Sequence, residues 1–171
     1  MAGGPLVADD EAAEAARAEA QRHFQLGYEA QMQGRLEEAV AHYQRSIGLH
    51  PTAEAHTFLG WAYSFQGRPD DAIAQCKIAI EVDPEFGNPY NDIGAYLIEL
   101  GREDEAVAWL ERAKRAPRYE PRHFPYFNRA RIHVKRHEIR EAIGELERAI
   151  EIEPRYAVAR KELHRLRGLL N

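Results

Sequence analysis

Small and apolar residues recur along the chain at a period of roughly 34 residues, which is typical of proteins built from repeated pairs of helices. Each copy opens with an apolar residue and a glycine and continues with an acidic residue, an alanine and a β-branched residue. The copies are Leu26-Gly27 with Glu38-Ala39-Val40, Leu59-Gly60 with Asp71-Ala72-Ile73, Ile93-Gly94 with Glu105-Ala106-Val107, and a degenerate Arg129-Ala130 with Glu141-Ala142-Ile143. The alanines that follow the acidic residue of each copy are separated by 33 residues (39 to 72), 34 residues (72 to 106) and 36 residues (106 to 142). The pattern predicts an all-α helical-repeat solenoid of four helix-turn-helix units, a scaffold that presents a surface.

Turn and stop residues lie at the same places in most copies. A Gly-Arg step follows the first helix in three of them, at Gly34-Arg35, Gly67-Arg68 and Gly101-Arg102. Glycine readily adopts the left-handed conformation that ends many helices. The fourth copy has Arg136-His137 instead, so we expect a turn that is built differently or mildly strained. Proline cannot continue a helix, and the second helices stop near Pro51, Pro84 and Pro154.

The small residues are predicted to lie where the two helices of a repeat cross, because helices approach closely only where both lack bulk. In first helices they are Gly27, Gly60, Gly94 and Ala130, and in second helices Ala39, Ala72, Ala106 and Ala142. Larger residues recur beside them in the second helices at Tyr43, Leu110 and Leu146, and Cys76 takes the equivalent position in the second copy. Free cysteine packs like a small hydrophobic residue, so we expect a buried, unreactive thiol.

These features divide the chain into an N-terminal extension, four repeats and a C-terminal capping helix. The extension covers residues 1–17, flexible over Met1–Ala8 and helical where alanine and glutamate dominate from Glu11. The predicted repeats cover residues 18–52, 53–86, 87–122 and 123–154. Residues 116–125, with three prolines, are expected to form a stiff, extended connector. The cap, residues 155–171, carries an apolar stripe of Tyr156, Ala159, Leu163, Leu166 and Leu170.

Composition adds an uneven charge distribution to this picture. The chain has 171 residues, of which 30% are charged, and a formal net charge of -5. Basic residues nonetheless dominate the stretch from Arg112 to Arg140, which biases the charge of a partner and not the fold. No apolar run reaches the roughly 18 residues of a membrane span, Met1 to Ala20 do not resemble a secretory signal, and Cys76 is the single cysteine. We therefore expect no membrane insertion and a cytoplasmic, reducing environment.

At its repeated glycines, alanines and prolines the chain resembles the tetratricopeptide repeat (TPR) family, over about Ala18 to Asn171. The resemblance implies a right-handed solenoid whose first helices line a concave groove that binds peptides or extended segments. It also implies a non-catalytic adaptor or scaffold whose partner is another protein. TPR co-chaperones that hold the acidic tails of heat-shock chaperones have Lys and Asn at the positions of Phe24 and Tyr28, so that particular clamp is not expected here.

A stripe of residues in and beside the first helices remains once the core positions are assigned, and we predict that it forms the ligand groove. Its aromatic part comprises Phe24, Tyr28, Phe58, Trp61 and Phe65. Its polar part comprises Asn88, Asn91, Asn128 and Arg131. Exposed apolar patches mark interaction sites, and amide and guanidinium groups suit a peptide backbone or a carboxylate. The alternative is that the aromatic side chains fill the space between repeats and the polar ones are simply solvated.

Catalytic and metal sites are not predicted. His133 and His137 lie four residues apart, as metal ligands on a helix do, but no further ligand completes a site and Glu138 is expected to point elsewhere. The acidic residues are spread along helix faces and do not form an acid/base pair. No serine or cysteine lies on a turn typical of a catalytic nucleophile. No strand is predicted, so no glycine-rich phosphate loop follows one. We therefore expect no enzyme activity, no metal and no cofactor.

Two alternative functions compete with the adaptor hypothesis. The segment Glu120–Tyr126 resembles a Pro-Arg-Phe-Pro-like entry to the last repeat of bacterial type III secretion chaperones. The stretch from Arg112 to Arg140 interleaves basic and aromatic residues, a combination that binds nucleic acid. Overall acidity favours an acidic protein segment over nucleic acid, and steep salt dependence would separate phosphate binding from aromatic anchoring. The sequence leaves homo-oligomer formation open.

Overall fold

The computed structural model describes residues 5–170 of the chain, with side chains from Asp9 onward, and over this range the protein is built from α-helices. The helices are α1 (Pro5–Met32), α2 (Leu36–Leu49), α3 (Ala53–Phe65), α4 (Pro69–Val82), α5 (Asn88–Glu99), α6 (Glu103–Arg115), α7 (His123–Lys135), α8 (Ile139–Ile152) and α9 (Ala157–Gly168). They form two compact units, an N-terminal unit over Met1–Pro84 with α1 to α4 and a C-terminal unit over Glu85–Asn171 with α5 to α9.

Consecutive helices pack against each other as pairs within each unit. In the N-terminal unit α1 packs on α2 and α3 on α4, and α2 also contacts α3. In the C-terminal unit α5 packs on α6 and α7 on α8, and α9 packs on α8. The predicted all-α helical-repeat class is therefore confirmed. Ala159, Leu163 and Leu166 of α9 are buried as predicted, whereas Leu170 lies past the end of the helix and is exposed.

The helices of a pair cross where a glycine removes the β-carbon. A β-carbon at Gly27 would lie 2.7 Å from Tyr43 Cε1, and one at Gly94 would lie 2.5 Å from Leu110 Cδ2. At Gly60 the facing residue is the smaller Cys76, and the backbone itself comes closer, so that a β-carbon would lie 2.9 Å from the Ala72 carbonyl oxygen. Cys76 is buried, as predicted. Glycine is thus required at these crossings by the space that its partner fills.

All four turns within the repeats share one backbone conformation, including the one that lacks glycine. Gly34, Gly67 and Gly101 have φ angles of 74°, 72° and 73°, and His137 has a φ of 61°. The residue after each turn donates its amide to a carbonyl five residues earlier, as Arg68 does to Tyr63 at 3.0 Å and Glu138 to His133 at 2.9 Å. The fourth turn is therefore not built differently, and its histidine occupies a conformation that L-residues adopt at an energetic cost.

Two expected segment boundaries differ from the structure. Met1–Gly4 of the predicted flexible start lie outside the described residues, but α1 already begins at Pro5, and proline fits the first turn of a helix. The predicted connector over residues 116–125 is shorter than expected, because His123, Phe124 and Pro125 belong to α7. Its extended part pairs with the start of the unit, where the Gly87 amide donates to the Arg118 carbonyl at 2.9 Å. Backbone pairing therefore fixes this segment.

None of the described helices is both long enough and apolar enough for a membrane span.

A matched pair of helical glycines tests the close crossing. An added β-carbon at Gly60 would lie 2.9 Å from the Ala72 carbonyl oxygen, whereas at Gly144 in α8 it would meet nothing within 4 Å. We expect Gly60→Ala to lower the free energy of unfolding by about 1–3 kcal/mol, because the backbone must move to relieve the contact. Gly144→Ala should raise it by about 0.5–1 kcal/mol, the helix preference of alanine over glycine. Urea unfolding followed by circular dichroism measures both, and a stabilising Gly60→Ala would contradict the crossing.

Candidate interaction surface

Five aromatic residues of α1 and α3 form a continuous row in the N-terminal unit, which we call the aromatic row: Phe24, Tyr28, Phe58, Trp61 and Phe65. Phe58 lies at its centre, with its ring centroid 5.0 Å from that of Phe24, 6.0 Å from Tyr28 and 5.6 Å from Trp61. Trp61 continues the row to Phe65 at 5.5 Å. Edge-to-face and tilted contacts at these distances are favourable, so all five predicted aromatic residues are brought together.

The inner side of the row packs on a buried tyrosine of α2. The Tyr43 ring lies 5.7 Å from Phe24 and 6.1 Å from Phe58, and its side chain has no exposed area. Its hydroxyl donates a hydrogen bond of 2.9 Å to Gln31 Oε1, and burial raises the pKa of Tyr43, so the phenol stays neutral at physiological pH. This neutral, hydrogen-bonded tyrosine supports the two rings above it.

The outer side of the row is open to solvent. Phe24, Phe58 and Trp61 are half-buried, while Tyr28 is 38% and Phe65 59% exposed. Beside them Met32, at the end of α1, is 51% exposed. The row is therefore both core and surface: Phe24 and Phe58 fill space between helices, as one hypothesis expected, and Tyr28 and Phe65 expose part of their rings to solvent.

The predicted polar residues lie in the C-terminal unit, where three of them form a hydrogen-bonded chain. Asn128 Nδ2 donates to Asn91 Oδ1 at 2.9 Å, and Arg131 Nη1 donates to Asn128 Oδ1 at 3.1 Å. Asn91 and Asn128 are each only 6% exposed. Asn88 lies apart, in a cleft of about 710 Å³ that is also lined by Tyr119. The two buried amides thus bind each other and position Arg131.

Asp92 lies at the inner end of this chain. Asn91 Nδ2 donates to its carboxyl group at 3.4 Å, a long and weak hydrogen bond. Burial of the carboxyl group raises the pKa of Asp92 to about 7, although the residue as a whole keeps partial exposure. The charge of Asp92 in turn contributes to a raised pKa of the buried Tyr119, after burial itself. A carboxyl group that is half protonated near neutral pH therefore lies beside the asparagine pair.

The histidine pair does not form a metal site among the described residues. His133 Nδ1 lies 2.6 Å from Glu138 Oε2, so the expectation that Glu138 points elsewhere is wrong. The contact arises because the left-handed turn at His137 brings the following residue back to the end of α7. His137 itself is exposed, and the described part of the chain contains no group of three or more His, Cys, Asp or Glu that could hold a metal ion.

At least four of the ten lysines and arginines between Arg112 and Arg140 pair with carboxylates. Lys114 Nζ lies 3.1 Å from Glu111 Oε1 and 3.0 Å from Glu145 Oε1, and Arg129 Nε lies 2.9 Å from Glu111 Oε1. Further pairs join Lys135 to Glu103 and Arg136 to Asp104. A continuous phosphate-binding track needs cations that are free to neutralise phosphates, and this pairing disfavours such a track.

Sequence reasoning missed a cleft between α7 and α9 in the C-terminal unit. Its volume is about 670 Å³, and it is lined by apolar residues of three helices and by several basic side chains. Arg131 is the one predicted site residue in it. Lys161 and Arg165 of α9 line the cleft as well, and nothing in the repeat pattern indicated that this helix borders an apolar cleft.

Asp92→Asn tests the buried carboxyl group through pH. The pKa of Asp92 is raised to about 7 in the folded protein from 3.8, so the folded state binds more protons than the unfolded state between these values. The contribution of the Asp92 carboxyl group to the free energy of unfolding is therefore largest at low pH and is lost as the pH rises toward 7. We expect Asp92→Asn to stabilise the protein at pH 8, by up to about 4 kcal/mol, and much less at pH 4. Urea unfolding across this range measures the difference, and a constant difference would contradict a raised pKa.

Solved structures share this fold at low sequence identity. PilF from Pseudomonas aeruginosa matches with a TM-score of 0.80 and 21% identity, over 90% of this chain and 68% of that one. PilW, a widely conserved type IV pilus biogenesis factor, matches with a TM-score of 0.79 and 22% identity, over 88% of this chain and 69% of that one. YrrB, a TPR protein with an unusual peptide-binding site, gives a TM-score of 0.66 and 17% identity, over 84% of this chain and 73% of that one. These identities show the fold alone.

Curated proteins give no significant match to the sequence. The sequence model of the tetratricopeptide repeat, by contrast, matches residues 24–85 and 59–121, which together span more than half of the chain. The matched residues include the glycine crossings at Gly27, Gly60 and Gly94 and the glycine turns that follow them. The chain belongs to the tetratricopeptide repeat family.

Proposed function

We propose that the protein is a non-catalytic adaptor that binds a peptide-like segment of another protein on its aromatic row. The observation that carries the proposal is the exposed apolar edge of that row, where Tyr28 and Phe65 are 38% and 59% exposed beside a half-buried Trp61. Large aromatic side chains in such positions are enriched among the residues that dominate protein–protein binding. Contiguous exposed apolar patches mark interaction sites in otherwise polar surfaces.

The packing of the row suits it to bind with little loss of side-chain freedom. Trp61 is held between Phe58 at 5.6 Å and Phe65 at 5.5 Å, and Phe58 packs on the buried Tyr43. Side chains that are already ordered give up less entropy when a ligand binds. An apolar side chain of the partner would cover Trp61 and Phe65, and release the water that these rings order when free.

In the C-terminal unit, we propose that the predicted polar residues bind a ligand group independently of the aromatic row, through one positioned cation. Asn128 accepts a hydrogen bond from Arg131 at 3.1 Å and is itself held by Asn91 at 2.9 Å. A guanidinium group held on one side can still donate to a carboxylate or a peptide carbonyl with its remaining N–H groups. Asn91 and Asn128 thus act by orienting Arg131, and Asn88 would contact a ligand separately.

Family membership supports a protein as the partner, and the description of YrrB as peptide-binding supports a peptide-like segment by analogy. The carboxylate pairing of Lys114, Arg129 and Lys135 favours a protein over nucleic acid. We also place the protein in the cytoplasm, because its buried, unbridged Cys76 fits a reducing compartment.

The two tryptophans of the chain provide a test with a matched control. Random peptides displayed on phage would be selected on the wild-type protein and their affinities measured for Trp61→Ala and Trp109→Ala. Trp109 is half-buried on α6 of the C-terminal unit, where it contacts Arg112 and Tyr90. We expect Trp61→Ala to weaken binding by about 2 kcal/mol, roughly 30-fold, as for a central aromatic contact. Trp109→Ala should leave affinity unchanged.

Circular dichroism of both variants would check that helicity is retained. Selected peptides that bind Trp61→Ala as tightly as wild type, or that depend on Trp109 instead, would remove the aromatic row as the binding surface. Affinity that falls steeply and linearly in the logarithm of salt concentration would indicate phosphate-like charge binding and not aromatic anchoring.

A further inference from the structure

A second surface with the properties of a docking site lies in the C-terminal unit, far from any residue of the aromatic row in sequence. It is the cleft of about 670 Å³ between α7 and α9, with α8 at its base. Five of its lining residues are apolar: Phe127, Ala130, Val134, Leu146 and Val158. Val158 is 56% exposed, so the apolar lining reaches the surface. Clefts of several hundred Å³ with apolar walls can accept several side chains of a ligand.

The remaining lining residues of the cleft are mostly basic. They comprise one carboxylate and five basic side chains: Glu162, Arg131, Lys135, Lys161, His164 and Arg165. The carboxylate is already engaged, because Glu162 pairs with Arg165 at 2.6 Å. Lys135 pairs with Glu103 outside the cleft. Three of the five basic side chains remain, namely His164 and the two cations Arg131 and Lys161.

Neither of these two cations has a carboxylate partner in the described part of the chain. Arg131 donates to the uncharged amide of Asn128 at 3.1 Å, which orients its guanidinium group. Lys161 makes no hydrogen bond or ion pair with a described residue and is exposed on α9. Because two cations without carboxylate partners line an apolar floor, the charge of the cleft is complementary to that of an acidic ligand.

We propose that this cleft binds an amphipathic, acidic segment of a partner protein. Apolar side chains of the segment would enter the floor between Val134 and Val158, and its carboxylates would pair with Arg131 and Lys161. Arginine binds carboxylates through parallel hydrogen bonds, and an orientation fixed by Asn128 favours that geometry. The site is separate from the aromatic row, so the protein would carry two recognition surfaces of different chemistry.

Two designed helical peptides with a fluorescent label test the proposal on the whole protein. Both carry leucines at helical spacing, and the flanking positions are glutamate in one and lysine in the other. Fluorescence anisotropy would be measured with wild type, Lys161→Glu, Val158→Ser and a control, Lys77→Glu. Lys77 is an exposed cation on α4 in the N-terminal unit, so the control changes the net charge of the protein by the same amount.

We expect the acidic peptide to bind wild type at least roughly tenfold more tightly than the basic one, as charge complementarity predicts. Lys161→Glu should weaken its binding by roughly tenfold or more, Val158→Ser by a smaller factor, and Lys77→Glu should leave it unchanged. Trp61→Ala should also leave it unchanged, which separates this site from the aromatic row.

Equal affinity for the two peptides, or no effect of Lys161→Glu, would overturn the proposal. Loss of binding in Trp61→Ala with no loss in Val158→Ser would assign the acidic peptide to the aromatic row and overturn it as well. Sedimentation velocity of the protein alone supplies one more outcome. A dimer that Lys161→Glu dissociates would mean that a second copy occupies the cleft, and the hetero-partner assignment would then be wrong.

Discussion

The close crossing of paired helices at a glycine is the contact on which the rest of the structure depends. Where Gly27 and Gly94 lack a β-carbon, the side chains of Tyr43 and Leu110 fill the space, with distances from an ideal β-carbon of 2.7 and 2.5 Å. Interiors of proteins pack densely enough that even one added methylene is felt. The crossing therefore fixes which side of each helix faces its partner and which side is left for other contacts.

The crossing in the first helix pair also explains how aromatic residues can be exposed without loosening the fold. Tyr43 fills the space at Gly27 and at the same time supports Phe24 and Phe58 from below. Exposure then increases outward along α3, from half-buried Trp61 to Phe65, which is 59% exposed. One end of the row contributes to the core, and the other end remains available to a partner.

Local features of the fold were predictable from the sequence, because each depends on residues close together in the chain. The period of the small residues indicated the helix pairs, and the Gly-Arg steps indicated the turn between the two helices of a pair. Contacts that depend on tertiary placement were not predictable. Asn91 and Asn128 are 37 residues apart, and in the sequence both appear available to a ligand or to solvent. In the structure their side chains form a hydrogen bond with each other. The α7/α9 cleft depends on where α9 lies against α8, which its apolar stripe does not specify.

We propose above all that the side chains of the aromatic row form the recognition surface. The most direct measurement is a titration of the wild-type protein with a selected peptide, followed by NMR of the two tryptophan indole N–H groups. Trp61 lies in the row, and Trp109 lies on α6 in the other unit. We expect the Trp61 indole signal to shift progressively as peptide is added, while the Trp109 signal stays in place. A shift of Trp109 alone, or of neither indole at saturating peptide, would contradict it.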